Sequence, residues 1–179
     1  MKVYKRLVDS RLREMITISQ EQWGFMPERS TTDAIFIARQ VMEKYREKQK
    51  PCYLAFLDLE KAYDRLPRAC SGNPFEDSKA AVRTPHGMAK KMDITVGVHQ
   101  GSALSPFLLV LTLDCIVNHL EEGPLRTILY AADIALVADS REELEKKVQL
   151  WQGALADNGL RLNVRKTKFI SSEQSPNRS

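Results

Sequence analysis

Two carboxylates stand where apolar segments end. Asp58 follows the run from Cys52 to Leu57 in "PCYLAFLDLEKAYDR", and Asp133 follows the tight turn of "ILYAADIALVAD". The first run suits a strand buried on both faces, and an acid at its end is costly unless something pairs with it. Asp58 reads equally well as the N-cap of a short following helix. Asp133 belongs to a hairpin of two short apolar strands. Two acidic strand ends on one sheet suggest a shared site, where the carboxylates repel one another unless cations hold them. Two metal ions roughly 3.5–4 Å apart are the usual arrangement for such phosphoryl-transfer chemistry, and Mg2+ is the natural candidate for oxygen ligands. A third feature is the small-residue turn at Gln100, Gly101 and Ser102. Its glycine permits close approach of a ligand to the backbone, or is an ordinary turn glycine.

These residues need elements to hold them. "VYKRLVDSRLREMI" places Val3, Leu7 and Leu12 near one helical face, with its basic residues toward solvent or a polyanion. In "ERSTTDAIFIARQVMEKYREKQK", Ser30 and Asp33 form a capping box, and Ala34, Ala38, Val41 and Tyr45 recur at helical spacing before Pro51. "TVGVHQGSALSPFLLVLTLD" starts strand-like, then turns into a helix with Ser105 as N-cap and Pro106 at its first position. "SREELEKKVQLWQGALADNGL" offers Ser140 and Glu143 as a second capping box, a stripe of Leu144, Val148, Trp151 and Leu155, and Gly159 at the C-terminal end. "RLNVRKTKFI" closes the described pattern as a short basic strand. The alternation favours an α/β or α+β domain.

The 179 residues suffice for one domain with a sizeable core. Lysine and arginine total 27 against 23 acids, for a net charge of +4 and a pI near 9.0, which fits an anionic partner such as nucleic acid. Cys52, Cys70 and Cys115 match neither a disulfide framework nor a zinc spacing and read as reduced thiols. The most apolar stretch, "SPFLLVLTLDCIV", is interrupted by Asp114 and falls short of the roughly 20 residues that span a bilayer. With no signal peptide legible, the expected location is intracellular, cytoplasmic or nuclear, neither secreted nor in a membrane.

The stretches "QWGFMPERSTTDAI", "FLDLEKAYDRLPR", "VGVHQGSALSP", "LYAADIAL" and "GLRLNVRKTK" occur in one order between Gln22 and Lys168. In that order they resemble the reverse transcriptase domain of a non-LTR, LINE-type retrotransposon of the RTE-like group. The resemblance implies a right-hand polymerase palm, an antiparallel sheet with packed helices, over 52–179, and a partial, mostly helical fingers segment over 1–51. It also implies RNA-directed DNA synthesis with Mg2+, on an RNA template and DNA primer or hybrid duplex, from dNTPs. Asp58 would then be a catalytic, metal-binding aspartate, and Tyr63 would lie beneath the sugar of the incoming nucleotide, or simply pack its small helix. Gln100 and Gly101 would line the nascent base pair. Lys166 would approach the departing pyrophosphate, or be a solvated surface lysine. Arg29, Arg39 and Lys44 would touch template phosphates or merely face water.

The chain departs from the family pattern at the hairpin. The family turn is tyrosine, any residue, then two aspartates; here Tyr130 and Asp133 remain, but Ala132 stands at the first aspartate. That position and the one matching Asp58 hold the metals, so activity should be lost or severely reduced. Asp133 would then be a catalytic residue and only a weak metal ligand, with strand alternation aiming its carboxylate away. Met26 replaces a common arginine, and "ACSGNPFEDSKAA" is shorter and more polar than the helical connection expected there. No thumb or endonuclease stretch is legible, as in a degenerate, truncated copy. Two further readings stay open, a non-catalytic nucleic-acid-binding module and a remnant without function.

Overall fold

The computed structural model describes residues 2–66, 79–80, 83–84, 87–88, 92–93, 97–98, 101–118, 120 and 127–172. Along the chain these form α1 (Lys2–Met15), α2 (Thr31–Glu47), β1 (Tyr53–Asp58) and α3 (Ala62–Arg65). Four two-residue strands follow, β2 (Lys79–Ala80), β3 (Arg83–Thr84), β4 (Gly87–Met88) and β5 (Met92–Asp93). Then come α4 (Ser105–Asn118), β6 (Thr127–Tyr130), β7 (Asp133–Ala138), α5 (Arg141–Asp157) and β8 (Lys168–Ser171). The principal sheet is antiparallel with strand order β6-β7-β1-β8, while β2 pairs with β5 and β3 with β4. This is the expected mixed architecture of an antiparallel palm-like sheet with packed helices.

Alternation along β1 and β7 divides their side chains between two cores. Ala55 and Leu57 of β1, with Ile134, Leu136 and Ala138 of β7, enter the main core beneath α4 and α5, with Phe107, Leu113, Trp151 and Leu155. On the other face Cys52, Leu54, Ala135 and Val137 meet α2 through Ala34, Ile37, Ala38, Val41, Met42 and Tyr45. Phe56 and Asp58 share that second face, and Phe56 is partly exposed. The α2 cover therefore thins toward the Asp58 end of β1.

The helices start and stop for local reasons. At the head of α2, Ser30 Oγ accepts from the Asp33 amide, and Asp33 accepts from the Ser30 amide, completing the expected capping box. Hydrogen bonds from Ser30 hold the exposed Asp33 carboxyl below its ordinary pKa. At α5, Ser140 caps Glu143, but the Glu143 carboxylate reaches one residue further back, to the Asp139 amide. Its C-terminus closes with Gly159 at φ 74°, the Gly159 amide on Ala156 O and the Leu160 amide on Leu155 O. That is the double hydrogen bond glycine permits after a helix.

Two boundary expectations need correcting. Ser105 is the first helical residue of α4, and Leu104 takes the capping position, its carbonyl accepting from the Leu108 amide at 3.1 Å. In α1 the half-buried stripe is Val8 and Leu12, continued by Ile16 just past the helix, while Leu7 is exposed. Arg13 also turns inward: it bonds Asp9 and Phe25 O and lies over the Phe107 ring, so not all the helix's basic residues face solvent. Val3's side chain, Cys70, most of the Pro67 to Val96 connection and Gln100 lie outside the described residues. Cys52 and Cys115 are not in disulfides.

Trp151 is the largest fully buried side chain and joins α5 to the sheet. Trp151→Ala should lower the unfolding free energy by about 3–5 kcal/mol, read as a reduced urea midpoint with unchanged slope.

Candidate active site

Asp58 ends β1, Asp133 begins β7, and the antiparallel register sets them directly opposite one another. Directly opposed residues share a face, with Cβ atoms about 4.5–5.5 Å apart. The expectation that Asp133 aims its carboxylate away is thereby corrected. Alternation applies within a strand, but Ala132 lies in the turn, and its methyl packs against the main core. Asp133 is the hairpin residue that register places beside Asp58.

Asp58 is not a helix cap. Lys61 occupies the N-cap of α3 at φ 49°, with no side-chain cap. The Asp58 carboxylate instead meets the segment after α5: Asn163 Nδ2 donates to Oδ2 at 3.1 Å, and Lys166 Nζ lies 3.3 Å from the same oxygen. Backbone pairing fixes this approach. The Asn163 amide donates to Asp58 O at 2.7 Å, the Glu60 amide to Arg161 O at 2.8 Å, and Leu59 bridges Leu162. Lys166 is largely exposed, so its ion pair adds little stability; it places a positive charge beside the acids. Burial first, and then the Asp58 charge, push the Asp133 carboxyl up from its ordinary value, against an opposing pull from Lys166.

The other expected site residues have their own local contacts. Tyr63 is half-buried against the main core, where burial raises its phenol pKa, and its carbonyl accepts from the Val98 amide at 2.8 Å. Gly101 has φ 82° and open space where a Cβ would stand, so backbone conformation and not crowding accounts for glycine there. Arg29 donates to Gln20 O at 2.8 Å and Gln22 O at 2.5 Å and lies 4.7 Å over the Trp23 ring. Its guanidinium organises its own loop. Arg39 and Lys44 are exposed on α2.

Two contributors went unread in the sequence, Asn163 and Gln22. Gln22 is fully buried, and its Oε1 accepts from the Ala131 amide in the hairpin turn at 3.0 Å. Both lie within the quoted motif stretches, but their partners are 105 and 109 residues away in the chain. Only the fold shows those pairings.

A family model described as reverse transcriptase (RNA-dependent DNA polymerase) matches residues 1–177. The chain belongs to the reverse transcriptase family. Its curated relatives include the retrovirus-related Pol polyproteins of the type-1 retrotransposable element R2 of Nasonia vitripennis and the type-2 element R2DM of Drosophila melanogaster. These are 22% and 26% identical over 94% and 95% of this chain. The chain spans about a fifth of the length of those relatives, 19% and 18%. Solved telomerase structures from Candida albicans and Candida tropicalis superpose with TM-scores of 0.65 and 0.66 at 14% and 17% identity. They cover 97% and 96% of this chain and 34% and 33% of theirs, and show the fold. The curated relatives it resembles are Pol polyproteins of R2 retrotransposable elements.

Reverse transcriptases generally use divalent metal ions, which sets a test for these residues. Among the described residues no group of three or more His, Cys, Asp or Glu could hold a metal. The opposed Asp58 and Asp133 supply carboxylates from two residues. Mg2+ can be bound through one or two carboxylates with water and substrate phosphate completing its shell, so the pair fits one ion. It does not supply the fuller acidic set suited to two.

The raised Asp133 pKa has a signed consequence. The folded chain binds this proton more readily than the unfolded chain, so stability falls as pH rises from about the ordinary 3.8 through the raised value. Asp133→Asn should therefore raise the thermal midpoint at neutral pH, with the gain shrinking below about pH 3.8. Paired melting curves at the two pH values check it.

Proposed function

We propose that this chain contributes the palm, residues 52–179, and part of the fingers, residues 1–51, of an RNA-directed DNA polymerase whose nucleotidyl transfer is severely reduced. The reading includes the RTE-like subgroup and an intracellular setting. Its substrates are an RNA template, a DNA primer or hybrid duplex, and dNTPs. The observation that carries it is Asp58 facing Asp133 across β1 and β7, with Lys166 at 3.3 Å from Asp58.

Asp58 and Asp133 would hold Mg2+, which when bound aligns the primer hydroxyl with the α-phosphate and offsets developing charge. Lys166, long and exposed, reaches the same place and would balance charge on the departing pyrophosphate. Tyr63 would support the sugar, and Gln100 and Gly101 the nascent pair. Ala132 removes one carboxylate from the turn. The consequence is weaker cation binding and poorer neutralisation at the transferred phosphate, a penalty of several kcal/mol in barrier.

Restoring that acid tests the reading. In primer extension on an RNA template with Mg2+, Ala132→Asp should raise the rate by about a thousandfold, on the order of 4 kcal/mol of barrier. Adding Asp58→Ala should abolish the gain. Strong extension by the unaltered chain would overturn the inferred loss.

A second reading, a nucleic-acid-binding module without catalysis, is favoured by the α2 surface. Arg39, Lys44 and Arg46 make no ion pair among the described residues, although Glu43 and Glu47 share the helix. Binding to an RNA–DNA hybrid should then weaken steeply with salt, through counterion release, even where extension is absent. A titration of labelled hybrid at two salt concentrations measures this.

A further inference from the structure

The hairpin turn is held from outside the sheet by the segment before α2. The Leu129 amide donates to Glu21 O at 2.9 Å and the Trp23 amide to Leu129 O at 2.7 Å, laying residues 21–23 parallel to β6. From this lane Gln22 turns inward, fully buried. Its Oε1 accepts from the Gly24 amide at 2.9 Å and the Ala131 amide at 3.0 Å, bridging the lane to the turn. Gly24 sits so close that a Cβ there would stand 2.1 Å from Ala131 N and 2.8 Å from Tyr130 C. Arg29 fixes Gln22 from behind through Gln22 O, and Thr31 and Tyr130 join their hydroxyls beside the turn.

The turn needs holding. Ala131 has φ 57°, a left-handed conformation that disfavours a Cβ. An unrestrained alanine would relax toward negative φ and change the exit direction of β7, whose first residue is Asp133. A buried carbonyl oxygen accepting the Ala131 amide opposes that relaxation.

We propose that Gln22 is a positioning residue: its amide oxygen locks the Ala131 turn in the left-handed form that sets Asp133 opposite Asp58. The inference rests on the polymerase reading only for its activity readout; the lock itself is a structural claim that can be measured separately.

The test compares Gln22→Met, similar in length but lacking the oxygen acceptor, with Gln22→Glu, which keeps one. Both are made in the Ala132→Asp chain. Amide hydrogen exchange by NMR is the first readout and steady-state primer extension the second. With Gln22→Met, Ala131 amide exchange should accelerate at least tenfold while the Leu54 and Leu136 amides keep their rates. Extension should lose kcat at least tenfold with KM for dNTP unchanged, and Gln22→Glu should recover most of both. Unchanged Ala131 exchange would overturn the proposal, as would equal acceleration at all three amides, which marks a merely structural role. Slower turnover without faster Ala131 exchange would overturn it too. If the Ala132→Asp parent does not extend at all, the polymerase reading fails, and the exchange comparison still decides the lock.

Discussion

β1 and β7 each bury apolar residues on both faces, so their pairing has one workable register. A slip by one position would carry Leu54, Leu57, Ile134 and Leu136 to the wrong cores and bring Asp58 opposite an apolar residue of β7. Because the register is dictated by these side chains, the meeting of Asp58 with Asp133 is dictated as well. The acids sit where the strands run out, on the face where α2 no longer covers Phe56. Hydrophobic burial along the strands thus holds together two like charges that would otherwise separate.

That arrangement is balanced by a third segment. The chain after α5 pairs its backbone with Asp58, Leu59 and Glu60 and brings Asn163 and Lys166 onto Asp58 Oδ2. The Schellman-type ending at Gly159 aims it there: the left-handed glycine reverses the chain at the foot of α5, and Leu160 is buried immediately after. One ammonium against two carboxylates leaves the local charge negative. A cation is therefore favoured at this place over an anion, while Lys166 competes for the same oxygen of Asp58.

The site is also a place of local conflict, as functional sites often are. A left-handed alanine, a glycine with no room for a side chain and a pair of facing acids gather within one turn and its neighbours. None of these serves stability. The surrounding α2 and α5 are locally consistent, with serine caps, acidic first turns and well-formed apolar stripes. Rigid, consistent elements hold a strained junction in place.

The primary sequence alone determined what local physics can determine. The Ser30–Asp33 box, the α5 stripe, the strand ending at Asp58 and the hairpin before Asp133 depend on spacings of a few residues, and each appears as read. The ordered motifs likewise carried the family, because residue identity and order survive without coordinates. Only the tertiary structure decided which hairpin residue faces Asp58, because strand alternation says nothing of register between chain segments more than seventy residues apart. The same holds for Arg29, spent on its own loop; for Leu7, exposed on α1; and for Asn163 and Gln22, whose partners come from distant segments. A short-range pattern can specify an element and the face it offers, but which remote atom meets that face is settled by packing the elements together.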